Sequence, residues 1–350
     1  MSLNLSLRAI GAAAAIAALV AATPAFAAGA PDADMQAVLD AHASLKPKPI
    51  ETLTPPEARM QPTPADAVNK LLKAQAQPTK PELLVPGIVA KDTNVAGATG
   101  QLPARIYTPK GRGPFPVIVY FHGGGWVIAD RKVYDGGARA LARSANAVVV
   151  SVDYRRAPEA KFPAAWDDAL AAYKWTAANA ASLKGDPAKL ALAGESAGGN
   201  LAVATAIAAR DANLPKPLHV LSVYPVAQTN LETPSYNAYA AAKPLNKPMI
   251  EWFVKHTTNS PADLKDPRIS LVDANLAGLP PVTIINAEID PLRDDGAQLE
   301  AALRKANVPV ERKLYDGATH EFFGMAAAVQ KARDAQAFAG QRLKQAFGTQ

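Results

Sequence analysis

The stretch Leu190-Ala-Leu-Ala-Gly194-Glu195-Ser196-Ala197-Gly198-Gly199-Asn200-Leu-Ala-Val-Ala204 decides the fold. Its apolar start is typical of a buried strand, and its Ala- and Leu-rich end is typical of a helix. Between them lies a Gly-x-Ser-x-Gly sequence, whose small flanking residues permit the tight, strained turn that exposes a serine. The following helix N-terminus favours negative charge that develops at the serine. We therefore predict that Ser196 is a nucleophile.

Short apolar runs recur along the chain and alternate with Ala- and Leu-rich stretches. The runs cover residues 116–121, 147–153, 190–193, 219–224 and 282–286. The helical stretches cover residues 136–144, 164–182, 198–213, 294–305 and 325–347. Buried strands that alternate with helices predict an α/β fold with a parallel sheet covered on both faces. Polar, helix-like sequence at residues 230–261 interrupts the alternation and is interpreted as an insertion.

A glycine-rich loop, Phe121-His122-Gly123-Gly124-Gly125-Trp126, directly follows the first apolar run. Glycines leave backbone N–H groups accessible to a substrate oxygen, and the N–H of Ala197 would complete such a site. This pattern predicts an oxyanion hole. A phosphate-binding loop is the weaker interpretation, because no Lys-Ser or Lys-Thr pair follows and the spacing is not Gly-x-Gly-x-x-Gly.

A nucleophilic serine needs a base, and the base needs an acid that orients it. Of the five histidines, only His320 follows a late strand-like run. Asp290 stands at the end of the preceding strand-like run, and we predict that it orients His320. Three other carboxylates are alternatives for that role: Glu288, Asp294 and Asp295. The last two fall inside the following predicted helix. No metal site and no cofactor is predicted for this chemistry.

Composition limits the function classes. The chain has 350 residues, 49% of them hydrophobic, which is ample for a large core and excludes wholesale disorder. It has no cysteine, which excludes disulfides, thiolate metal sites and a cysteine nucleophile. The net charge is +6, but the basic residues are scattered, so nucleic acid is not a predicted partner. Fifteen of the 30 prolines precede Val117, which indicates that the first third is built differently.

The first 27 residues are typical of a secretory signal peptide. One positive charge at Arg8 precedes an apolar run and an Ala-x-Ala sequence that ends at Ala27. The apolar run is too short for a bilayer, which takes about 20 residues, so no stable membrane anchor is predicted. We expect cleavage after Ala27 and export to the periplasm or the medium.

Five ordered motifs resemble the hormone-sensitive-lipase-like carboxylesterases, bacterial family IV of the α/β-hydrolase superfamily. They begin at His122, Asp153, Gly194, Asp290 and His320, and the resemblance spans roughly residues 35–345. It implies an α/β-hydrolase fold with a mostly parallel central sheet, flanking helices and a helical cap. The implied domains are an N-terminal cap segment at residues 28–85 and a catalytic domain at residues 86–350, whose cap insertion covers about residues 230–261.

The resemblance also implies an activity and residue roles. The expected activity is hydrolysis of short- to medium-chain acyl esters through an acyl-enzyme, by Ser196, Asp290 and His320. The family pattern assigns the oxyanion hole to Gly124, Gly125 and Ala197, and gives His122 and Gly123 a loop-supporting role. The partner is a small-molecule ester, and a monomer or a homodimer fits equally. Two alternatives remain: an amidase or peptidase using the same triad, and a non-catalytic ligand-binding member of the fold.

The sequence departs from the family pattern at three positions. Glu195 replaces the usual Asp or Thr before the serine, and we expect no cost from this change. Arg156 replaces Leu in the Asp153-Tyr-Arg-Arg-Ala-Pro-Glu159 stretch and is interpreted as a surface change. Glu321 stands where Gly is commoner after the histidine, and we expect it to affect the pH optimum modestly.

Overall fold

A single eight-stranded sheet forms the centre of the molecule. The computed structural model describes residues 29–349, so the predicted signal peptide lies outside the described residues. In chain order the strands are β1 (Ile88–Gly97), β2 (Gly100–Pro109), β3 (Phe115–Phe121), β4 (Val148–Val152), β5 (Gly185–Glu195), β6 (His219–Val223), β7 (Val282–Ile289) and β8 (Val310–Thr319). Their order across the sheet is β1-β2-β4-β3-β5-β6-β7-β8. In this order across the sheet, every neighbouring pair from β4 onwards is parallel. The pairs β1–β2 and β2–β4 are antiparallel.

The edge strands differ from the apolar runs that the sequence shows. Strands β1 and β2 form a hairpin closed between Gly97 and Gly100, and half of the β1 residues are exposed. Strand β8, at the other edge, is also largely exposed along its first half. An exposed edge strand needs no continuous apolar run, which is why the apolar pattern predicted only the five central strands.

The five predicted helices lie close to their predicted positions, and further helices form elsewhere in the described chain. The α-helices are α1 (Ala33–Ser44), α2 (Pro55–Ala58), α3 (Pro64–Ala74), α4 (Pro81–Leu84), α5 (Asp135–Ser144), α6 (Ala164–Asn179), α7 (Ala197–Asp211), α8 (Pro234–Ala238), α9 (Lys247–Thr257), α10 (Arg293–Lys305) and α11 (Gln330–Phe347). Helix α11 begins later than predicted, because Phe322–Met325 forms a separate 3₁₀ turn. Within residues 29–349, no helix combines the length and the apolar content that crossing a bilayer requires.

Alternate residues of the central strands pack on opposite faces of the sheet. In β3, Val119 belongs to a core shared with α6, α7 and α10, whereas Ile118 belongs to a core shared with α1, α3, α5 and α11. Helices therefore cover both faces, as the alternating pattern predicts.

A third apolar cluster lies outside these two cores. It joins Ile50 and Ala58 of the N-terminal segment to Phe253 of α9 and to Val127, which follows the glycine-rich loop. The N-terminal segment and the insertion thus share one packed core with the loop beside Ser196.

Candidate active site

Ser196 lies on the sharp turn between β5 and α7. Its backbone adopts φ 58° and ψ −121°, a conformation that a residue with a side chain rarely takes. The Ser196 N–H donates to Val223 O at 2.8 Å, which fixes the turn against the neighbouring strand β6. The side chain is only 6% exposed, so the hydroxyl group is sheltered from bulk water.

The glycines on either side of Ser196 are required by close packing. A Cβ atom on Gly194 would lie 2.1 Å from Gly198 O. A Cβ atom on Gly198 would lie 2.0 Å from Phe121 O, at the end of β3. Both contacts are with backbone atoms that cannot rotate away, so the turn accepts no larger residue at these positions.

Ser196, His320 and Asp290 form one hydrogen-bonded chain. His320 Nε2 lies 3.0 Å from Ser196 Oγ, and His320 Nδ1 lies 2.7 Å from Asp290 Oδ2. Asp290 follows β7 and His320 follows β8, so the carboxyl ends of parallel strands bring the two side chains together. Asp290 is fully buried, and its second oxygen accepts a hydrogen bond from the Leu292 N–H at 2.9 Å.

The charges around His320 favour its protonated form. Burial disfavours the imidazolium, but the charge and hydrogen bond of Asp290 outweigh it, with a further contribution from Glu321 and Glu195. The pKa of His320 is therefore raised above its usual value. A base with a raised pKa accepts a proton from a hydroxyl group more readily.

The rival carboxylates have other partners. Glu288 accepts a hydrogen bond from the Gly317 N–H at 2.7 Å, and Asp294 accepts one from the Ser235 N–H at 2.8 Å. Asp295 is fully buried and accepts from the Ala227 N–H at 2.9 Å. Burial raises the pKa of Asp295 to about 7. None of the three is hydrogen-bonded to His320 in the part of the chain that the structure describes.

The glycine-rich loop runs beside Ser196. Gly124 has φ 95° and Gly125 has φ 57°, both in the region that favours glycine. Within residues 29–349, the N–H groups of Gly124, Gly125 and Ala197 have no hydrogen-bond acceptor. Gly124 and Gly125 line the same cavity as Ser196 and His320. The predicted oxyanion-hole residues therefore carry free donors near the serine.

His122 lies behind this loop. It is fully buried, its Nδ1 lies 2.7 Å from Gly123 O, and its ring stacks on Tyr154 at a centroid distance of 4.3 Å. Burial lowers the pKa of His122, which keeps the ring neutral. A Cβ atom on Gly123 would lie 2.3 Å from the Tyr134 hydroxyl, so this glycine permits close packing.

Two glutamates near His320 form a buried network with tyrosines. Glu195 is 1% exposed, and its carboxylate accepts hydrogen bonds from the hydroxyls of Tyr120 and Tyr224. Burial raises the pKa of Glu195 to about 7, although the two tyrosine hydrogen bonds oppose the shift. Glu321 accepts a hydrogen bond from the Tyr134 hydroxyl at 2.6 Å. No local motif predicted this network, because the tyrosines come from separate segments.

Arg156 lies partly at the surface, at a position where the family pattern has Leu. It is half-buried, and its guanidinium donates to Ala129 O, shortly after the glycine-rich loop. The change from Leu to Arg therefore adds a hydrogen bond to the backbone beside the loop, because a guanidinium group is a donor and a Leu side chain is not.

A cavity of about 720 Å³ opens over Ser196 and His320. Residues 31–64 of the N-terminal segment and residues 242–253 of the insertion supply much of its lining. Six prolines line it: Pro31, Pro47, Pro49, Pro62, Pro64 and Pro244. The volume is within the usual range for a small-molecule site. Among residues 29–349, no cluster of His, Asp or Glu side chains has the arrangement of a metal site.

A family model and individual relatives match this chain over most of its length. A family described as alpha/beta hydrolase fold matches residues 118–324. Carboxylesterase NlhH of Mycobacterium tuberculosis is 38% identical over 292 residues, which are 81% of this chain and 91% of NlhH. Ethyl acetate hydrolase of Pseudomonas putida is 34% identical over 250 residues, 70% of this chain and 78% of the relative.

Solved structures are similar along almost the whole chain. The thermostable esterase from Pseudomonas putida ECU1011 superposes with a TM-score of 0.81 at 31% identity. The match covers 92% of this chain and 98% of the esterase. The similarity therefore includes the N-terminal segment and the insertion as well as the sheet.

Proposed function

The chain belongs to the hormone-sensitive-lipase-like branch of the α/β-hydrolases, a family of carboxylic ester hydrolases, and we propose that it is a serine carboxylesterase for short- to medium-chain acyl esters. The observation that carries the proposal is the hydrogen-bonded chain from Asp290 through His320 to Ser196, which opens into a substrate-sized cavity.

In the first half of the reaction, Ser196 Oγ attacks the ester carbonyl carbon while His320 Nε2 accepts the hydroxyl proton. Asp290 holds the proton on Nδ1, which keeps the second ring nitrogen free to act as the base. The N–H groups of Gly124, Gly125 and Ala197 donate to the oxyanion of the tetrahedral intermediate. Removing one such donor typically lowers kcat by a factor of about 10²–10³. His320 then gives its proton to the departing alcohol.

In the second half, water attacks the acyl-enzyme. His320 takes a proton from the water molecule as its oxygen bonds to the acyl carbon, and the same N–H groups stabilise the new oxyanion. The ester bond to Ser196 breaks, the proton returns to Ser196 Oγ, and the carboxylic acid leaves. Every atom comes from the ester and water, so the steps draw on no further reagent.

The cavity supports a proposal on the substrate. We infer that residues 28–85 and 230–261 act as a cap, because residues 31–64 and 242–253 within them contribute to the lining of the cavity above Ser196. Cap segments that narrow a cavity limit the length of the acyl chain it accepts, whereas an uncovered groove sets no such limit. The ester acted on by one relative, ethyl acetate, is also short. We expect high kcat/KM on p-nitrophenyl acetate, butyrate and octanoate, and a steep decrease on the palmitate ester.

The decisive experiment is stoichiometric labelling with an organophosphate, followed by peptide mapping by mass spectrometry. We expect one adduct, on Ser196, and parallel loss of esterase activity. Ser196→Ala is the matched control and should take no label. Absence of an adduct on Ser196 in the wild-type protein would overturn the serine mechanism.

The same preparation separates esterase from amidase activity. The ester p-nitrophenyl butyrate and the amide butyryl p-nitroanilide carry the same acyl group and differ only in the leaving group. We expect turnover of the ester and much slower turnover of the anilide. Comparable rates would favour the amidase interpretation, and tight binding without turnover would favour a ligand-binding role.

We also propose that the protein is exported. The proposal depends on the charged start, apolar run and Ala-x-Ala sequence of residues 1–27. Sequencing the N-terminus of protein recovered from the periplasm or the medium tests it. We expect the mature chain to begin at Ala28, and an intact Met1 on an intracellular protein would contradict the proposal.

A further inference from the structure

Three consecutive carbonyl groups at the end of the glycine-rich loop and directly after it are held by three separate parts of the chain. Thr257 Oγ1 donates to Gly125 O at 3.2 Å, and the Ala157 N–H donates to Trp126 O at 2.9 Å. Arg59 Nε donates to Val127 O at 2.8 Å. Thr257 belongs to the insertion and Arg59 to the N-terminal segment. Both parts of the proposed cap therefore bind the backbone that carries the proposed oxyanion hole.

Thr257 is held rigidly at the end of α9. Its side chain is almost fully buried, and its own carbonyl accepts a hydrogen bond from the Phe162 N–H at 2.8 Å. One turn earlier in α9, the Phe253 ring covers Gly125 so closely that an added Cβ atom would lie 2.2 Å from it. The Thr257 hydroxyl therefore reaches Gly125 from a fixed position.

Arg59 joins two segments beside the loop. Besides Val127 O, its guanidinium donates to Ala157 O at 2.8 Å. Both oxygens of Glu159 accept from it as well, each at 2.7 Å. The planar guanidinium fits these acceptors with fixed geometry, which a lysine ammonium group does not reproduce. Arg59 thus fixes the C-terminal side of the loop as Thr257 fixes its centre.

These contacts matter because glycine backbones are otherwise free. Gly124 and Gly125 adopt left-handed conformations, and each has access to many others. The direction of an N–H group follows from the orientation of its peptide plane. The Gly125 N–H shares its plane with Gly124 O, which accepts hydrogen bonds from the Val127 N–H at 3.0 Å and the Ile128 N–H at 2.9 Å. Those two N–H groups lie in the planes whose carbonyl oxygens, on Trp126 and Val127, bind Ala157 and Arg59. Thr257 fixes the plane on the other side of Gly125, which carries the Trp126 N–H. Oxyanion donors are effective only when they are preorganised.

We propose that Thr257 and Arg59 are positioning residues of the oxyanion hole, so that the cap contributes to the rate of acyl transfer as well as to substrate binding. The proposal rests on the proposed esterase function. The two possible roles of a cap, substrate binding and positioning of the oxyanion hole, have different kinetic signatures. A binding role changes KM, whereas a positioning role changes kcat and the affinity for a tetrahedral transition-state analogue.

The first test replaces Thr257 by Val, which keeps the shape and removes the hydroxyl group. We expect kcat on p-nitrophenyl butyrate to fall by about tenfold, less than the ~10²–10³ lost when an oxyanion donor itself is removed. KM should stay near the wild-type value, and the affinity for an alkyl trifluoromethyl ketone should fall in parallel with kcat. Thr257→Ser, which restores the hydroxyl group, should recover most of the rate.

Thr258→Val is the matched control. Thr258 directly follows α9, and its hydroxyl donates back to Val254 O of that helix at 2.9 Å and not to the loop. This variant should keep the wild-type kcat and inhibitor affinity. Equal kcat and inhibitor affinity in Thr257→Val and Thr258→Val would overturn the proposal, as would a raised KM with unchanged kcat in Thr257→Val.

Arg59→Lys is the second, independent variant. A lysine keeps the charge but reaches only one of the two carbonyl groups at a time, so kcat and inhibitor affinity should again fall together. Its control is Arg312→Lys, because Arg312 pairs with Glu300 on α10, away from the loop. If Thr257→Val does not fold, the Arg59→Lys comparison decides the proposal. A wild-type protein that hydrolyses no ester and takes no organophosphate label would instead overturn the proposed function.

Discussion

The hydroxyl group of Tyr224 donates a hydrogen bond to Glu195 Oε2, and this contact joins the end of β6 to the residue before Ser196. The Tyr224 ring also lies 4.5 Å from the His320 ring. Tyr120 donates to the other Glu195 oxygen, so the carboxyl group is enclosed on both sides. The residue before the serine is therefore part of the packing around the proposed base.

The burial of Glu195 predicts a pH-dependent stability. Its pKa rises from 4.5 to about 7 in the folded protein. Its contribution to the unfolding free energy is fully present below about pH 4.5 and is lost as the pH rises to about 7, a change of about 3 kcal/mol at most. Glu195→Gln removes this group. Urea denaturation from pH 4.5 to 8 should show a smaller decrease in stability for the variant.

Asp295 serves as an internal control for that comparison. Burial raises its pKa to about 7 as well, but it is present in both proteins and cancels in the difference. Equal pH dependence of the two unfolding free energies would contradict the prediction.

Asp290→Asn should lower kcat by about 10⁴, because an amide cannot hold the proton on His320 Nδ1 and the ring then adopts the wrong tautomer. Steady-state kinetics on p-nitrophenyl butyrate measures the effect. Asp294→Asn is the control, since Asp294 bonds to the Ser235 N–H and has no hydrogen bond to His320 among the described residues. It should stay within a few-fold of wild type. A large loss in Asp294→Asn with a small one in Asp290→Asn would refute the assignment.

Glu321 should shift the acid limb of the pH–rate profile. Its negative charge helps to raise the pKa of His320, and the base is active only when neutral. The pKa that limits wild-type kcat/KM on the acid side should therefore lie above the usual histidine pKa of about 6.5. In Glu321→Gly the limb should move to lower pH, because the imidazolium is less stabilised. Glu321→Gln, which keeps an acceptor for Tyr134, should shift it similarly, and an unchanged profile in both variants would disprove the prediction.

Gly198→Ala should destabilise the protein by about 3 kcal/mol or more, because the new Cβ atom would lie 2.0 Å from Phe121 O. Urea denaturation measures the loss. Gly324→Ala is the control, because its Cβ atom would lie 3.8 Å from the Gly137 backbone nitrogen and meet nothing closer. Similar stability of the two variants would show that the turn at Ser196 relaxes more easily than its contacts indicate.

The sequence predicted the five central strands and five helices that pack on the sheet, because buried parallel strands and Ala- and Leu-rich helices carry strong local patterns. It also identified Ser196, Asp290 and His320, which the structure brings into one hydrogen-bonded chain. The edge strands β1 and β2 were not predicted, and β8 was expected only as the strand-like run before His320. An edge strand is stabilised by pairing and not by a continuous apolar run, so its pattern is weak.

By itself, the sequence determined the α/β architecture and the positions of the residues proposed for catalysis, since each of these is encoded in a short local motif. Only the tertiary structure decided what surrounds them. Glu195 receives hydrogen bonds from tyrosines of two other strands or strand ends, and Thr257 and Arg59 reach one loop from positions 198 residues apart. Hydrogen bonds between such distant residues depend on how the whole chain packs, and a local sequence pattern contains no record of them.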